Sequence, residues 1–254
     1  MTHPIKRMMP AVFFPVKELK QATEWYANLL DRQIVPRDHE DGIYIFDMDG
    51  TEIILDSNSW GSPPMIMFGS DDIDAAHAFC QDQPHELLTD VFSDEYISVF
   101  TMNAHLLCMA NRAPESEKPK QAHALLSRMS RIILHTDDMQ QSVRWHEAFV
   151  ARQAEPDTPY GGLPFIRMDR GAHLLFDDNR LCESPRVFYE GLQKDLRVNP
   201  IVIIESPDLG AALDHVRSKG AVASEITTRL GVRFFIFHDP DGNGLMVCES
   251  AAKA

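Results

Sequence analysis

The sequence is short of positive charge. Lysine and arginine number 24 against 38 aspartates and glutamates, a formal net charge of −14, and such a balance repels phosphate backbones and anionic headgroups. No nucleic acid and no membrane surface is expected as a partner; the acidic surface serves solubility, and would draw in a cationic small molecule. Cysteine is also sparse. Cys80, Cys108, Cys182 and Cys248 stand far apart, without the paired spacing that builds zinc knuckles or redox dithiols, and are read as reduced, mostly packed thiols. No apolar run is long enough to span a bilayer, and the basic residues of the first ten positions are not followed by the apolar stretch of a signal peptide. A cytoplasmic protein is expected. No serine or cysteine sits in a glycine elbow, so acyl transfer has no support.

At 254 residues the chain is long for one core and suits two domains. Residues 8–16 read as a strand, and within 17–30 Leu19, Ala22, Tyr26, Leu29 and Leu30 recur at helical spacing. Strands are expected at 33–37, 43–48 and 52–56, the last two joined by a tight turn at Asp49-Gly50. The order is βαβββ. After a Gly/Pro/Ser break the order returns, with a strand at 65–69, a helix at 72–81 and strands at 87–92, 96–102 and 106–110. A charged, proline-punctuated stretch at 113–127 suits a linker.

Beyond it the pattern repeats in kind. Trp25, Arg32 and Gln33 match Trp145, Arg152 and Gln153; Met48-Asp49 matches Met168-Asp169; Asp56 and Asn58 match Asp177 and Asn179. Asp72-Ile73-Asp74-Ala75-Ala76 likewise matches Asp208-Leu209-Gly210-Ala211-Ala212, which predicts a strand at 201–205 and a helix at 208–218. Internal duplication follows, with one domain at 1–112, a linker at 113–127 and a second domain at 128–254. Asp138 is placed to N-cap the helix after the strand Ile132-Ile133-Leu134-His135.

The last hairpin is the most specific feature. Phe234-Phe235-Ile236-Phe237 and Leu245-Met246-Val247-Cys248 flank the turn Asp239-Pro240-Asp241-Gly242-Asn243, where proline presets φ and glycine or asparagine supplies a positive one. This hairpin, with the segment Ile132-Ile133-Leu134-His135-Thr136-Asp137-Asp138-Met139, resembles the vicinal oxygen chelate superfamily of glyoxalase I, bleomycin and fosfomycin resistance proteins and extradiol dioxygenases. The likeness covers nearly the whole chain. It implies an α+β fold of tandem βαβββ modules, four units in two lobes, each lobe's curved sheets forming a cleft. Single-domain relatives often dimerise; here the lobes are expected to pair within one chain, with a homodimer left open.

The resemblance also implies where a metal would sit. Carried onto the C-terminal lobe, the family's four ligand positions fall on Arg131, Leu175, Ile201 and Met246, and onto the N-terminal lobe on Ala11, Ile54, Met65 and Leu106 or Leu107. None offers an ordinary donor to a hard or borderline divalent cation. No metal and no cofactor is therefore expected, the alternative being a divalent Zn, Ni, Mn or Fe ion at displaced ligands. Arg131, His135, His173, Phe235, Met246 and Cys248 are the candidates to line the cleft. Arg131 would receive a carboxylate or phosphate, unless it pairs with an acid such as Asp177 and is structural. His135 and His173 would polarise a substrate or bind a displaced metal, unless they are hydrogen-bonded strand-end histidines.

Three functions compete. The leading one is metal-free binding or sequestration of a small organic molecule in the glyoxalase and bleomycin-resistance manner. The second is a metal-dependent lyase, isomerase or dioxygenase with displaced ligands. The third gives the lobes to assembly or regulation, marked by clefts filled with side chains.

Overall fold

The structure is a computed structural model that describes residues 3–34, 42–83, 87–95, 97–102, 105–110, 122–136, 138–178 and 201–250. The N-terminal half contains β1 (Met8–Met9), β2 (Ala11–Pro15), α1 (Leu19–Leu29), β3 (Ile43–Asp47), β4 (Glu52–Asp56), β5 (Met65–Gly69), α2 (Ile73–Gln81), β6 (Phe92–Ser93), β7 (Ile97–Met102) and β8 (His105–Ala110). The C-terminal half contains β9 (Arg128–Thr136), α3 (Met139–Phe149), β10 (Glu155–Asp157), β11 (Leu163–Ile166), β12 (Arg170–Gly171), β13 (His173–Asp178) and β14 (Val202–Ser206). It continues with α4 (Leu209–Ser218), β15 (Val222–Ala223), β16 (Thr227–Arg229), β17 (Val232–His238) and β18 (Gly244–Glu249).

Duplication is visible in the strand pairing. β2 runs parallel to β4 and antiparallel to β5, β5 parallel to β8, and β8 antiparallel to β7. In the other half β9 runs parallel to β13 and antiparallel to β14, β14 parallel to β18, and β18 antiparallel to β17. The sheet orders are β3-β4-β2-β5-β8-β7-β6 and β10-β11-β13-β9-β14-β18-β17-β15, with β16 also on β17. The α+β class and its tandem βαβββ modules are thus the architecture of the chain.

Local sequence sets where the helices begin. Asp72, Asp138 and Asp208 each accept a hydrogen bond from the backbone amide three residues on, Ala75, Gln141 and Ala211, at 3.0 Å in each case. Each satisfies an amide the helix leaves orphaned, worth about 1 kcal/mol. The first helix, by contrast, starts after Glu18 with no side-chain cap.

Alternation along the strands divides the apolar residues between two interiors. One set joins the helices of both halves in a shared core, where Phe68 and Phe149 meet edge to face at 5.1 Å between centroids. The other set lies on the opposite face of each sheet, in one separate cluster per half.

The halves are also stitched by backbone. β1 pairs in parallel with β12, and the Met129 amide donates to the Met48 carbonyl at 3.2 Å. Thr51 Oγ1 donates to the Met9 carbonyl at 2.8 Å and accepts from the Ala172 amide at 2.7 Å. Gly171 makes this approach feasible: at φ +79 a Cβ there would lie 2.4 Å from the Met9 carbonyl oxygen.

One expectation about strands is revised. The strand expected at 87–92 shrinks to an exposed Phe92–Ser93, with only an isolated bridge from Leu87 to Met102. There the Thr89 hydroxyl takes the Thr101 amide at 2.9 Å, replacing a ladder bond. Most of the strand expected at 33–37 and of the linker at 113–127 lies outside the described residues.

Candidate functional site: an apolar cleft in the C-terminal half

The inner face of the C-terminal sheet is read directly from its register. His173, Arg131, Ile203, Met246 and Ile236 lie side by side across β13, β9, β14, β18 and β17. Their neighbours Leu175, Ile133, Phe234 and Cys248 complete a buried apolar cluster closed by Tyr160 and Phe165. Between them is a cavity of about 50 Å³, with Asp177 and Arg229 as its charged lining groups and Leu163, Leu230 and Val232 among its apolar ones. By comparison, an apolar cavity of ~150 Å³ accommodates benzene.

Arg131 is spoken for. Its Nε donates to Asp157 Oδ2 at 2.6 Å, its Nη2 to Asp157 Oδ1 at 3.3 Å and its Nη1 to the Ser130 carbonyl at 2.9 Å. The guanidinium also lies 5.0 Å from the Tyr160 ring centre and 5.3 Å from that of Phe165. This bidentate pair is the structural alternative, with Asp157 as the acid where Asp177 was named.

His173 is held neutral. Burial, with the Arg131 charge behind it, pulls its pKa down to about 4. Its Nδ1 accepts from the Met168 amide at 3.1 Å, which fixes the proton on Nε2. At the polar end of the cleft, Asp177 lies 3.9 Å from His135 Nδ1 and 3.6 Å from Arg229 Nη2.

Met246 and Cys248 line the cavity, and burial pushes the Cys248 thiol far up, so it stays protonated. Phe235 does not join them. It is fully buried in the shared core on the other face, and Phe234 faces the cleft, paired with Cys248. Likewise Ile203, not Ile201, stands between Arg131 and Met246. Sequence reasoning did not name Tyr160, Leu163, Arg229 or Leu230 for the cleft; Tyr160 ends a single 3-10 turn, Leu163 and Arg229 sit at the ends of short strands and Leu230 lies in the turn between β16 and β17, where no period announces a side chain's direction.

At the positions where the superfamily resemblance puts a metal, the residues do not fit one. Arg131 is engaged, Leu175 and Ile203 have no donor atom, and Met246 offers only a thioether. In the N-terminal half the same face carries Ala11, Ile54 and Met67, backed by Phe13, Ile43, Ile45 and Met65. A different group gathers elsewhere: Asp31 after α1, His123 before β9 and His215 on α4 bring ligand atoms within 4.8 Å of one another.

The chain shares its fold with dioxygenases of known structure, as tandem modules on one chain. Catechol 2,3-dioxygenase is similar in structure at 16% identity over 98% of this chain and 90% of that one, with a TM-score of 0.61. A 2,2',3-trihydroxybiphenyl 1,2-dioxygenase from Sphingomonas wittichii strain RW1 gives 11% identity, 97% and 91% coverage and a TM-score of 0.54. A variant of homoprotocatechuate 2,3-dioxygenase from B. fuscum gives 13% identity, 98% and 72% coverage and a TM-score of 0.60. No protein-family model matches the chain, and no characterised protein matches it by sequence.

The expectation of no metal and no cofactor is corrected by these findings. Structures that share the fold include an extradiol ring-cleaving dioxygenase from B. fuscum, and the described residues contain a group able to hold a metal ion. Superposing family positions could not reveal that group, since its members meet only where the halves pack together. No helix among the described residues is long and apolar enough to cross a membrane.

Proposed function

We propose that the C-terminal cleft binds a small, mainly apolar organic molecule, as glyoxalase-like and bleomycin-resistance-like proteins do. The observation that carries this reading is the asymmetry of the lining. Its walls are apolar side chains such as Ile133, Leu175, Ile203 and Met246, whereas its charged groups, Asp177 and Arg229, belong to one end. That division suits a ligand with a hydrophobic body and one polar group. A cavity of about 50 Å³ must widen to admit it, and Met246, unbranched and adaptable, is the side chain suited to repack. Met246 and Cys248 are assigned to the ligand's apolar part and His135 to its polar end; Arg131 and His173 support the wall. Two domains, 1–112 and 128–254, joined by 113–127, paired within the chain and located in the cytoplasm, belong to the same proposal.

The test is a thermal-shift and calorimetric screen of the full chain against aromatic and short aliphatic compounds, repeated on Ile203→Trp, which fills the cavity from β14. A stabilising compound should lose its effect in the variant. Absence of any stabilising organic ligand, together with turnover on adding metal, overturns the reading. A second reading, a metal-dependent lyase, isomerase or dioxygenase with ligands displaced from the cleft, is favoured by the Asp31, His123 and His215 group. Elemental analysis of untagged protein, paired with a turnover assay, tests it.

A further inference from the structure

We propose that Asp31, His123 and His215 form a site for a borderline divalent metal ion, of which Zn²⁺ is the type, and that the ion clamps the two halves of the chain together. The inference does not depend on what occupies the cleft. Three separate segments supply the donors: Asp31 follows α1 in a left-handed conformation at φ +50, His123 precedes β9, and His215 sits on α4. Two imidazoles and a carboxylate are the donor set that Zn²⁺ takes with a fourth position left to water.

His215 is already oriented for this role. Its Nε2 lies 2.8 Å from the Leu29 carbonyl oxygen, which only accepts, so the proton is on Nε2 and the lone pair on Nδ1. A ring N–H held by a backbone carbonyl is the outer partner that metal-bound histidines commonly have. The His123 and His215 ring centres are 4.8 Å apart. Asp31 accepts a hydrogen bond from the Lys219 ammonium. That ammonium occupies Oδ1, at 3.0 Å, and Oδ2 faces His123 Nε2 at 3.2 Å. With metal–ligand bonds of about 2.0–2.2 Å, two donors on a tetrahedral ion stand about 3.3 Å apart. The Asp31–His123 pair has that spacing, and closing the group from within 4.8 Å takes only a small side-chain movement.

Two features oppose the ion and make the proposal specific. His123 Nδ1 accepts from the Leu125 and Leu126 amides at 3.2 and 3.0 Å, which puts the proton of the neutral ring on Nε2, between His123 and Asp31. The ion takes that proton's place; the proton moves to Nδ1, and the two amide bonds are given up. Lys219 meanwhile competes for Asp31 with its positive charge.

The experiment titrates chelator-treated, untagged full-length protein with Co²⁺, followed by its visible absorption, and with Zn²⁺, followed by thermal unfolding. One equivalent of Co²⁺ should give a four- or five-coordinate spectrum, Zn²⁺ should displace it, and the melting temperature should rise. His215→Ala and His123→Asn should each weaken binding at least tenfold. The asparagine can still accept from the Leu125 and Leu126 amides, so the segment keeps its local fold. Lys219→Met should tighten binding several-fold, an effect that a purely hydrogen-bonded junction would not produce. No spectral change up to millimolar metal, or binding unaltered in His215→Ala and His123→Asn, overturns the proposal.

Discussion

Whether Arg131 receives a ligand or supports the wall can be decided by removing its partner's charge. Asp157→Asn preserves the shape of the side chain at the end of β10 but leaves a guanidinium only 10% exposed, against an amide where a carboxylate 2% exposed had been. Breaking a buried ion pair from one side costs about 3–5 kcal/mol, because the remaining charge stays desolvated. At about 2–4 °C per kcal/mol for a chain of this size, the melting temperature should drop by about 6–20 °C. The double variant Arg131→Met with Asp157→Leu should fall far less, since an apolar pair of similar volume removes both desolvation costs together. The Tyr160 and Phe165 rings that flank the guanidinium would pack on the methionine. Urea and thermal unfolding of the parent protein, Arg131→Met, Asp157→Leu and the double variant closes the cycle. In Asp157→Ala, added formate should restore part of the loss, because the freed guanidinium then has an anion to bind. A cost under about 1 kcal/mol for Asp157→Asn, or a double variant as unstable as the single one, would refute the structural role of Arg131.

Two further perturbations test the cleft wall and the junction. His173 has a folded pKa of about 4, below its ordinary value of about 6.5, so the folded state resists protonation. Its contribution is whole above about pH 6.5 and is lost as the pH falls towards 4. His173→Asn, whose carbonyl can still accept from the Met168 amide, should flatten that window in urea midpoints measured from pH 7 to 4; a midpoint profile identical to that of the parent protein counts against a buried neutral imidazole. At the junction, Gly171→Ala should destabilise by well over 1 kcal/mol, since its Cβ would meet the Met9 carbonyl at 2.4 Å. Gly162→Ala, at φ +76 with nothing within 4 Å of the added carbon, carries only the backbone strain. Thermal melts of the pair separate strain from close approach, and equal losses would remove the steric argument.

What was legible in the sequence was whatever has a local cause. The aspartates at 72, 138 and 208 announced helix starts because the capping bond spans three residues, and each makes it. The duplication was legible because residues such as Trp25 and Trp145, or Asp72 and Asp208, recur at matching positions, and both halves use the same strand order. Strand direction within the cleft was not, and the reason is specific. Phe234-Phe235-Ile236-Phe237 is apolar at every position, and both faces of β17 are buried, so no alternation tells which phenylalanine turns inward. The cleft position on β14 is Ile203 and not Ile201, within the run Ile201-Val202-Ile203-Ile204, where again no alternation fixes the register. Asp157 lies in a three-residue edge strand without periodicity, and its pairing with Arg131 joins residues that sequence spacing cannot relate. The Asp31, His123 and His215 group exists only because α1, the segment before β9 and α4 pack together.

The hairpin that revealed the fold has its own lesson about the cleft. Asp239 is buried, with a pKa raised chiefly by that burial, and its carboxylate is nonetheless well satisfied. It accepts from the Asp241 and Asn243 amides at 3.0 and 2.8 Å, from Asn243 Nδ2 at 2.8 Å and from the Tyr26 hydroxyl at 3.0 Å. Asn243 Nδ2 also donates to the Pro15 carbonyl at 3.1 Å. Tyr26 and Pro15 belong to the other half of the molecule, so the turn is fastened across the junction and away from the cavity. In the duplicate, the position of Tyr26 is His146, whose Nδ1 bonds its own helix at the Ser142 carbonyl, 2.8 Å away, and the matching sequence, Met102-Asn103-Ala104-His105, has no aspartate. Turn and tyrosine occur together in one half and are absent together in the other. The Asp-Pro-Asp-Gly-Asn sequence therefore reports how the halves dock, whereas the residues of the adjoining strand report what the cleft can bind. A chain can keep the first and change the second, which is how a recognisable hairpin comes to border a wall of isoleucine, leucine and methionine.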